Sequence, residues 1–213
     1  MDILIAGPAH TVFAEEISES YSLSAKVRGT GIAQRSAAYI RSRMEKGDAV
    51  IALDQGQFAG FCYIEVWGDK DYVANSGLLV QPAYRGQGLA RQLKSAVFDL
   101  SRERYPEAKI FGITTGLAVM KLNSSLGYRP VTFSELTEDP EFWKGCQTCR
   151  NYDVLVRTEK KMCLCTGMLY DPKEKTQHSQ KTKDKTFKRL IEIKKKLFLK
   201  KNTAQDEKDN SGL

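Results

Sequence analysis

The chain has 213 residues, of which 41% are hydrophobic, which suits one domain with a buried core plus an additional segment. Residues 1–172 carry 20 basic and 20 acidic side chains, so the net charge of +7 lies in residues 173–213. A neutral body argues against nucleic-acid binding by that body. No apolar run approaches the ~18 residues of a membrane span and the first residues do not read as a signal peptide, so we expect a cytoplasmic protein with reduced cysteines.

The first half of the chain predicts one strand, then two helices, then three further strands. Apolar residues at helical spacing indicate the helices, and alternating or continuous apolar runs indicate the strands. Asp54-Gln55-Gly56 has the composition of a hairpin turn between the second and third strands. The predicted elements are a strand over 3–6, helices over about 9–24 and 33–46, and strands over 49–53, 57–67 and 73–80.

The second half alternates helices with strands. We predict a helix over 88–104 that Pro106 ends, a strand over 109–115, a helix over 117–126, and strands over 128–133 and 152–157. This alternation predicts an α/β fold, an open mixed sheet with helices on both faces. The ligand is expected where two central strands separate.

A glycine-rich turn joins the strand ending near Val80 to the helix that begins near Gly88. Gly86 and Gly88 have no Cβ, so a ligand can approach the backbone, and the helix start presents unpaired N–H groups and a positive dipole end. These features predict a pyrophosphate site. The turn is neither a P-loop, which needs Gly-Lys-Ser/Thr, nor a dinucleotide fingerprint, because the third glycine is missing.

The spacing Arg85-x-x-Gly88-x-Ala90 after a strand resembles the acetyl-CoA loop of the GNAT N-acetyltransferase superfamily. The order of elements is similar to that family too, and Asn123-Ser124-Ser125-Leu126-Gly127-Tyr128 falls where its members carry a helix ending in Gly-Phe or Gly-Tyr. The resemblance covers residues 1–157. It implies a GNAT-type mixed, mostly antiparallel central sheet with helices on both faces.

The resemblance implies acetyl-CoA as the cosubstrate. The backbone of the strand would pair with the pantetheine arm, amides of the loop would hold the pyrophosphate, and the Arg85 side chain would add positive charge. Asn123 stands where family members commonly carry a tyrosine that protonates the leaving thiolate; an amide cannot act as an acid, so we expect a cofactor contact there and leave the acid open. The expected cofactor-binding residues are Leu78, Leu79, Val80, Arg85, Gly86, Gln87, Gly88, Leu89, Ala90 and Asn123.

Transfer to an amine also needs a base that takes the ammonium proton. Family members often place a glutamate on the strand before the loop, whereas this chain has Asn75-Ser76-Gly77 there. Glu65, on the neighbouring strand, is therefore our candidate catalytic base. The alternative is an ordinary solvent-facing strand residue.

The acceptor is expected between the first two helices and the sheet. Arg28 and Arg35 lie in or beside the loop that joins these helices, where family members grip their acceptors. A guanidinium binds a carboxylate bidentately, which favours an amino acid such as glutamate. The region is also loosely similar to the acetyltransferase unit of N-acetylglutamate synthases. The alternative is that both arginines are simply solvated.

Four cysteines form the second pattern, Cys146-x-x-Cys149 followed by Cys163-x-Cys165. Four sulfurs suit tetrahedral zinc, so residues 146–170 are predicted as a cysteine-rich extension, a zinc knuckle holding one ion. The alternative is reduced, partly buried thiols. Cys62 stands apart and is expected to be a small core residue.

The basic segment 173–213 is lysine-rich without regular pattern until Phe187, which predicts disorder. Apolar residues from Phe187 to Phe198 then lie near one face of a helix. We expect this helix to dock on the body or remain solvated, in preference to contact with a membrane or RNA.

The favoured interpretation is an acetyl-CoA-dependent N-acetyltransferase acting on a small-molecule primary amine by direct transfer, with a homodimer as its expected assembly. Two alternatives remain open. One is a non-catalytic acyl-CoA-binding sensor, because the glutamate and tyrosine are missing from their usual positions. The other is a zinc-containing interaction protein on a degenerate fold of this type.

Overall fold

A computed structural model describes residues 1–29 and 32–174 of the chain. One compact unit runs from Met1 to Asp171 and contains all the helices and strands given below. A second unit, 172–213, is described at residues 172–174 alone. The predicted amphipathic helix of the basic segment therefore lies outside the described residues.

The helices and strands follow the predicted order through most of the chain. The strands are β1 (Asp2–Ile5), β2 (Ala49–Asp54), β3 (Gln57–Trp67), β4 (Tyr72–Val80), β5 (Lys109–Thr114), β6 (Arg129–Val131) and β7 (Thr166–Tyr170). The α-helices are α1 (Ala14–Arg28), α2 (Ala37–Glu45), α3 (Leu89–Arg104), α4 (Leu117–Ser125), α5 (Pro140–Lys144) and α6 (Tyr152–Arg157). A 3-10 helix, Pro8–Phe13, precedes α1, so the first predicted helix is divided in two.

The seven strands form one sheet in the order β1-β2-β3-β4-β5-β7-β6. Every neighbouring pair is antiparallel except β4 and β5. The hairpin between β2 and β3 turns through Gln55 and Gly56, both with positive φ, as a two-residue type I′ turn requires. The predicted fold class, a mixed and mostly antiparallel sheet, is confirmed.

Helices cover both faces of this sheet. On one face α1 and α2 pack against β2, β3 and β4, with Ile17 and Ile40 fully buried among the strand side chains. On the other face α3 packs its apolar stripe against the same strands, centred on Leu93 and Val97. A third cluster, with Phe111 and Trp143, joins β5 and β7 to α5 and α6 on the side of α1 and α2.

The last predicted strand, residues 152–157, is wrong, because these residues form α6. Tyr152, Val154 and Val156 alternate as strand residues do, but the segment buries only Leu155 and leaves Val156 exposed. The strand that completes the sheet is β7, which lies between β5 and β6. Part of the cysteine-rich segment 146–170 is therefore built into the central sheet.

The strands β4 and β5 separate after a short parallel contact. They pair from Tyr72 to Ala74 on β4 and from Lys109 to Phe111 on β5, and no further pairing between them occurs in the described residues. Beyond this point β4 remains paired with β3, and β5 with β7. The sheet thus opens into a V, which is the separation that the predicted ligand site requires.

A bulge in β4 lies on the wall of this V. Ser76 pairs with Tyr63 and Leu79 with Phe61, so two residues of β4 oppose one of β3 between these pairs. Gly77 occupies the bulge with φ of 66°, and a Cβ there would overlap the ring of Tyr63 and the hydroxyl of Tyr21.

No helix among residues 1–29 and 32–174 has the length and apolarity to cross a membrane.

Candidate active site

A cavity of about 1230 Å³ lies at the V, and its lining residues come from both faces of the sheet. Arg85, Ala90 and Asn123 border it from the elements that follow β4 and β5. Side chains of α1, α2 and β3 border it from the opposite face, with Glu65 among them. Two reactants could therefore enter from different sides and meet between the strands.

The loop from Arg85 to Gly88 has the geometry of an anion site. Gly86 and Gly88 have φ of 76° and 82°, and a Cβ at either would meet no atom within 4 Å, so the positions are strained for other residues but open to a ligand. Within the described part of the chain, the backbone N–H groups of residues 86–90 make no hydrogen bond. Five free donors at the start of α3 can bind phosphate oxygens.

Other predicted cofactor contacts lie along the free edge of β4. Leu79 and Val80 pair with β3 on one edge, while the opposite edge faces the V and has no strand partner among the described residues. An extended pantetheine arm can add to such an edge as a further strand would. The Arg85 side chain turns back toward this edge, and its Nε donates to the Val80 carbonyl oxygen at 3.1 Å.

The loop tip itself is set apart from the cavity. Leu78, Leu79, Val80, Arg85, Ala90 and Asn123 line the cavity, whereas Gly86, Gln87, Gly88 and Leu89 do not. The two glycines and Gln87 are exposed, and Leu89 points its side chain into the core, where it is 2% exposed. The contribution of Leu89 would therefore come from its backbone N–H.

Glu65 lies in a group of polar side chains on the α1–α2 face. It is 8% exposed and accepts a hydrogen bond from the hydroxyl of Tyr39. Tyr63, two residues earlier on the same strand, faces the same side and accepts a bond from Arg35 Nε at 2.6 Å. Burial and, next, the charge of Glu65 raise the pKa of Tyr39 and of Tyr63, so both phenols stay protonated.

Arg35 is held at the mouth of this group. Besides Tyr63 it donates through Nη1 to the carbonyl oxygens of Gln34 at 3.0 Å and Gly145 at 3.5 Å. Burial alone would lower the pKa of Arg35, but Tyr63 and Glu65 outweigh burial and the pKa is raised. The guanidinium is permanently charged, and its Nη2 makes no hydrogen bond within residues 1–29 and 32–174.

Arg28, the last residue of α1, reaches across the V. Its Nη2 is 2.9 Å from the position that a Cβ on Gly116 would occupy, at the start of α4. Arg28 is exposed and lines the same cavity as Arg35. The structure thus brings Glu65, Arg28 and Arg35 to one cavity, and their roles in it stay predictions.

A buried polar group beneath the V was not predicted. The Asn75 side chain donates to the Tyr128 hydroxyl at 3.0 Å and accepts from Ser101 Oγ at 2.7 Å. Lys94 Nζ approaches the Asn75 carbonyl oxygen at 3.5 Å, and Asn123 is 1% exposed with Oδ1 unpartnered. A lysine at helical spacing from buried Val97 and Ser101 was the available sequence signal.

The zinc site predicted at the four cysteines is not supported. In residues 1–29 and 32–174 no group of three or more His, Cys, Asp or Glu side chains is arranged to hold a metal ion. The thiols are partly buried, Cys163 Sγ contacts the Asn151 carbonyl oxygen at 3.8 Å, and burial raises the pKa of Cys146 to about 11 and of Cys165 to about 12. Cys62 is a fully buried core residue, as expected.

The four cysteines nevertheless border the cavity, at its acceptor end. The turn that carries Cys146 and Cys149 contacts the loop after α1, because Gln34 N donates to Thr148 Oγ1 at 3.0 Å. A role for this segment in shaping the cavity was not visible from the spacing of the cysteines. It depends on contacts between residues more than a hundred positions apart.

Comparisons with known proteins agree with this geometry. The family model of the Acetyltransferase (GNAT) family matches residues 14–118. No curated protein matches the sequence. Among solved structures, N-acetylglutamate synthase from Neisseria gonorrhoeae, complexed with coenzyme A and N-acetyl-glutamate, is similar with a TM-score of 0.58 at 15% identity. The match covers 80% of this chain and 34% of that one, so the chain corresponds to about a third of the synthase.

Two further structures match over most of their own length. The Salmonella typhimurium protein yncA, with its cofactor acetyl-CoA, has a TM-score of 0.56 at 16% identity, covering 81% of this chain and 94% of that chain. A phosphinothricin acetyltransferase from Sinorhizobium meliloti, in complex with acetyl-CoA, has a TM-score of 0.55 at 15% identity, covering 80% and 87%. At these identities the likeness to solved structures shows the fold, and the family model matches 105 of the 213 residues.

Proposed function

We propose that the chain is an acetyl-CoA-dependent acetyltransferase that acetylates the primary amine of a small, carboxylate-bearing acceptor such as glutamate. The match of the GNAT family model to residues 14–118 and the fold that the chain shares with proteins complexed with acetyl-CoA support the proposal. The observation that carries the proposal is the single cavity with a cofactor edge on one side and Glu65, Arg28 and Arg35 on the other. A cavity lined from both faces of the sheet suits direct transfer, in which acetyl-CoA and the acceptor are bound at the same time.

The cofactor side would act through backbone groups. The N–H donors of residues 86–90 and the dipole of α3 would hold the pyrophosphate, and the Arg85 guanidinium would add charge. The free edge at residues 78–80 would align the pantetheine arm toward the closed end of the V. Such alignment places the thioester carbon next to an amine bound on the opposite face.

The acceptor side would act through side chains. Arg28 and Arg35 would bind the carboxylate, and Glu65 would take the proton from the ammonium group directly or through water. The hydroxyl of Tyr39, which donates to Glu65, fixes the orientation of this carboxylate. The neutral amine then attacks the thioester carbonyl, and the carbon–sulfur bond breaks as CoA leaves.

The experiment is a screen of purified full-length chain with acetyl-CoA and a panel of amino acids, their amides and polyamines. Because the chain contains five cysteines, acetylated product should be followed by chromatography and mass spectrometry and not by a thiol reagent. We expect acidic or neutral amino acids to be acetylated and polyamines to be poor acceptors. Glutamate against glutamate diamide is the matched pair, since only the first retains its carboxylates.

Preference for a polyamine, or equal rates with the free acid and the diamide, would overturn the assignment of Arg28 and Arg35. Tight CoA binding with no turnover of any amine would contradict the proposed reaction. Binding of CoA itself can be measured separately by calorimetry, so the two halves of the proposal fail independently.

A further inference from the structure

Lys94 is a charged side chain that has no role in the reaction proposed above. It lies in α3 one turn and a half after Gly88, is 2% exposed, and lines the cavity. A buried ammonium is costly unless it is paired. Lys94 makes no ion pair with a carboxylate in the part of the chain that the structure describes; its polar contact is the Asn75 carbonyl oxygen at 3.5 Å.

The position of Lys94 is the closed end of the V. Asn75 and Gly112 are the first residues after the last paired residues of β4 and β5, Ala74 and Phe111. A Cβ on Gly112 would lie 3.4 Å from the Asn75 carbonyl oxygen and 4.0 Å from Asn123 Nδ2. Lys94 Nζ, the Asn75 carbonyl and the Asn123 amide therefore share one small space.

This space is where the cofactor arm would end. If the pyrophosphate lies on the amides of residues 86–90 and the arm follows β4 along residues 80 to 78, its sulfur arrives next to the residues where the strands meet. An anion develops on that sulfur as the thioester breaks. The unpaired cation at the closed end of the V is placed to meet it.

The other titratable groups around Lys94 do not neutralise it. Cys62 faces it from β3 and Tyr128, which follows α4, lies with its ring 5.8 Å from Nζ. Burial raises the pKa of both groups, so both are uncharged near neutral pH. Burial also lowers the pKa of Lys94 itself, against a smaller opposing contribution from Cys62, and so makes it a stronger acid than an exposed lysine.

We propose that Lys94 is the general acid of the reaction and gives its proton to the sulfur of the leaving CoA. This inference rests on the proposed acetyl transfer and supplies the acid that Asn123 cannot be. The Asn123 amide, buried beside Lys94, orients the thioester or a water.

Atoms and electrons balance in this step. The amine nitrogen forms a bond to the acetyl carbon, and the carbon–sulfur electron pair moves to sulfur. One Nζ–H bond of Lys94 breaks and its proton passes to sulfur, which leaves CoA as the thiol and Lys94 as the neutral amine. The acceptor nitrogen loses two protons: Glu65 takes the first from the ammonium group and releases it to solvent, then takes the second as the carbon–sulfur bond breaks and releases it in turn. Lys94 regains a proton from solvent before the next turnover.

The experiment titrates the thiol of CoA bound to the full-length chain. Thiolate absorbs in the ultraviolet, and the complex with desulfo-CoA serves as the blank that removes the absorbance of the five cysteines. A buried cation beside sulfur stabilises the thiolate, so we expect the bound thiol to titrate at least about one pH unit below free CoA. In Lys94→Met, which keeps the apolar stem, this shift should disappear.

Ser101→Ala is the matched control. It removes a hydroxyl from the same buried group but leaves the contact of Lys94 with Asn75 in place, so the bound thiol should titrate as in the unchanged chain. With a good acceptor, Lys94→Met should lower kcat ~10²-fold with less than about a threefold change in the KM of acetyl-CoA. In the unchanged chain kcat should decrease at high pH as Lys94 loses its proton, and this decrease should be absent in Lys94→Met.

A bound thiol that titrates as in free CoA in the unchanged chain would overturn the proposal, even if Lys94→Met did not fold. An equal loss of the shift in Ser101→Ala would do so too, because it would assign the effect to the polar group as a whole. This titration uses no amine, so it decides the role of Lys94 even if no acceptor were acetylated.

Discussion

The two sides of the cavity offer different kinds of groups to the two proposed ligands. On the cofactor side the donors are backbone N–H groups of one continuous segment, residues 86–90, on an exposed loop with two positive-φ glycines. On the proposed acceptor side the polar groups are side chains from a helix, a strand and a loop. Tyr39 bonds to Glu65, and Arg35 bonds to Tyr63.

The two sides should therefore tolerate different substitutions. A backbone site is insensitive to the side chains around it but fails when the backbone conformation changes or the space in front of it is filled. A side-chain site depends on each charge and each hydrogen bond, and its parts can be removed singly. Four substitutions test this contrast, beginning with the boundary between the two sides.

Gly77→Ala should have the largest effect, because Gly77 lies where the two sides meet. A methyl group would overlap the ring of Tyr63, and the positive φ disfavours any L residue. We expect the free energy of unfolding to fall by about 3 kcal/mol, measured by chemical denaturation. Gly86→Ala shares the positive φ but meets no atom, so it should lose only about 1 kcal/mol. Equal losses would show that packing at the boundary is unimportant.

Glu65→Gln should lower kcat ~10²-fold or more near neutral pH, since the base is lost while its hydrogen bond with Tyr39 can be kept. Part of the loss should return at higher pH, where free amine becomes common. Steady-state rates across the pH range give the test, with Glu19→Gln on the exposed surface of α1 as control. A variant with unchanged rates at every pH would remove Glu65 from the mechanism.

Gly88→Glu should weaken acetyl-CoA binding by at least ~2 kcal/mol, about 30-fold, through steric exclusion and like charge. Calorimetry measures this directly. Gly56→Glu is the matched control, because Gly56 has nearly the same φ, 80° against 82°, and equally open surroundings in the β2–β3 turn. Both variants carry the same backbone strain, so unchanged CoA affinity in a folded Gly88→Glu would contradict the cofactor assignment.

Arg28→Ala should have the smallest effect, raising the KM of a carboxylate-bearing acceptor ~10-fold with no change in the KM of acetyl-CoA. Arg28 suits this test better than Arg35, which also holds Tyr63 and the Gly145 carbonyl. Arg41→Ala serves as control, since Arg41 pairs with Glu15 on the exposed surface. If acceptor and cofactor KM rose together, Arg28 would belong to the cofactor side or to the fold.

Local patterns predicted most of the fold. The strand over 57–67 has the predicted limits, and the glycines at 47 and 127 end helices with positive φ. These elements were predictable because turn chemistry and apolar spacing act over a few residues. Residues 152–157 failed because six residues fit a strand and a helix equally well.

The strand β7, which the sequence did not predict, shows the same limit of local patterns. Its sequence Thr-Gly-Met-Leu-Tyr is short and does not alternate polar with apolar residues, and Gly167 weakens it as a strand. Its place is set by pairing with β5 and β6, more than thirty residues earlier in the chain. No local rule reports such a pairing.

The sequence alone thus predicted the candidate cofactor loop, because a phosphate site made of backbone groups is encoded in one short run of glycines before a helix. It also placed Glu65, Arg28 and Arg35 as candidates, but not their distances or partners. Only the tertiary structure decided that Tyr39 bonds to Glu65 and Tyr63 to Arg35. It also decided that Lys94, Asn75 and Asn123 meet at the closed end of the V. Side-chain sites need residues distant in the chain to converge, and packing of the whole core decides where they do so.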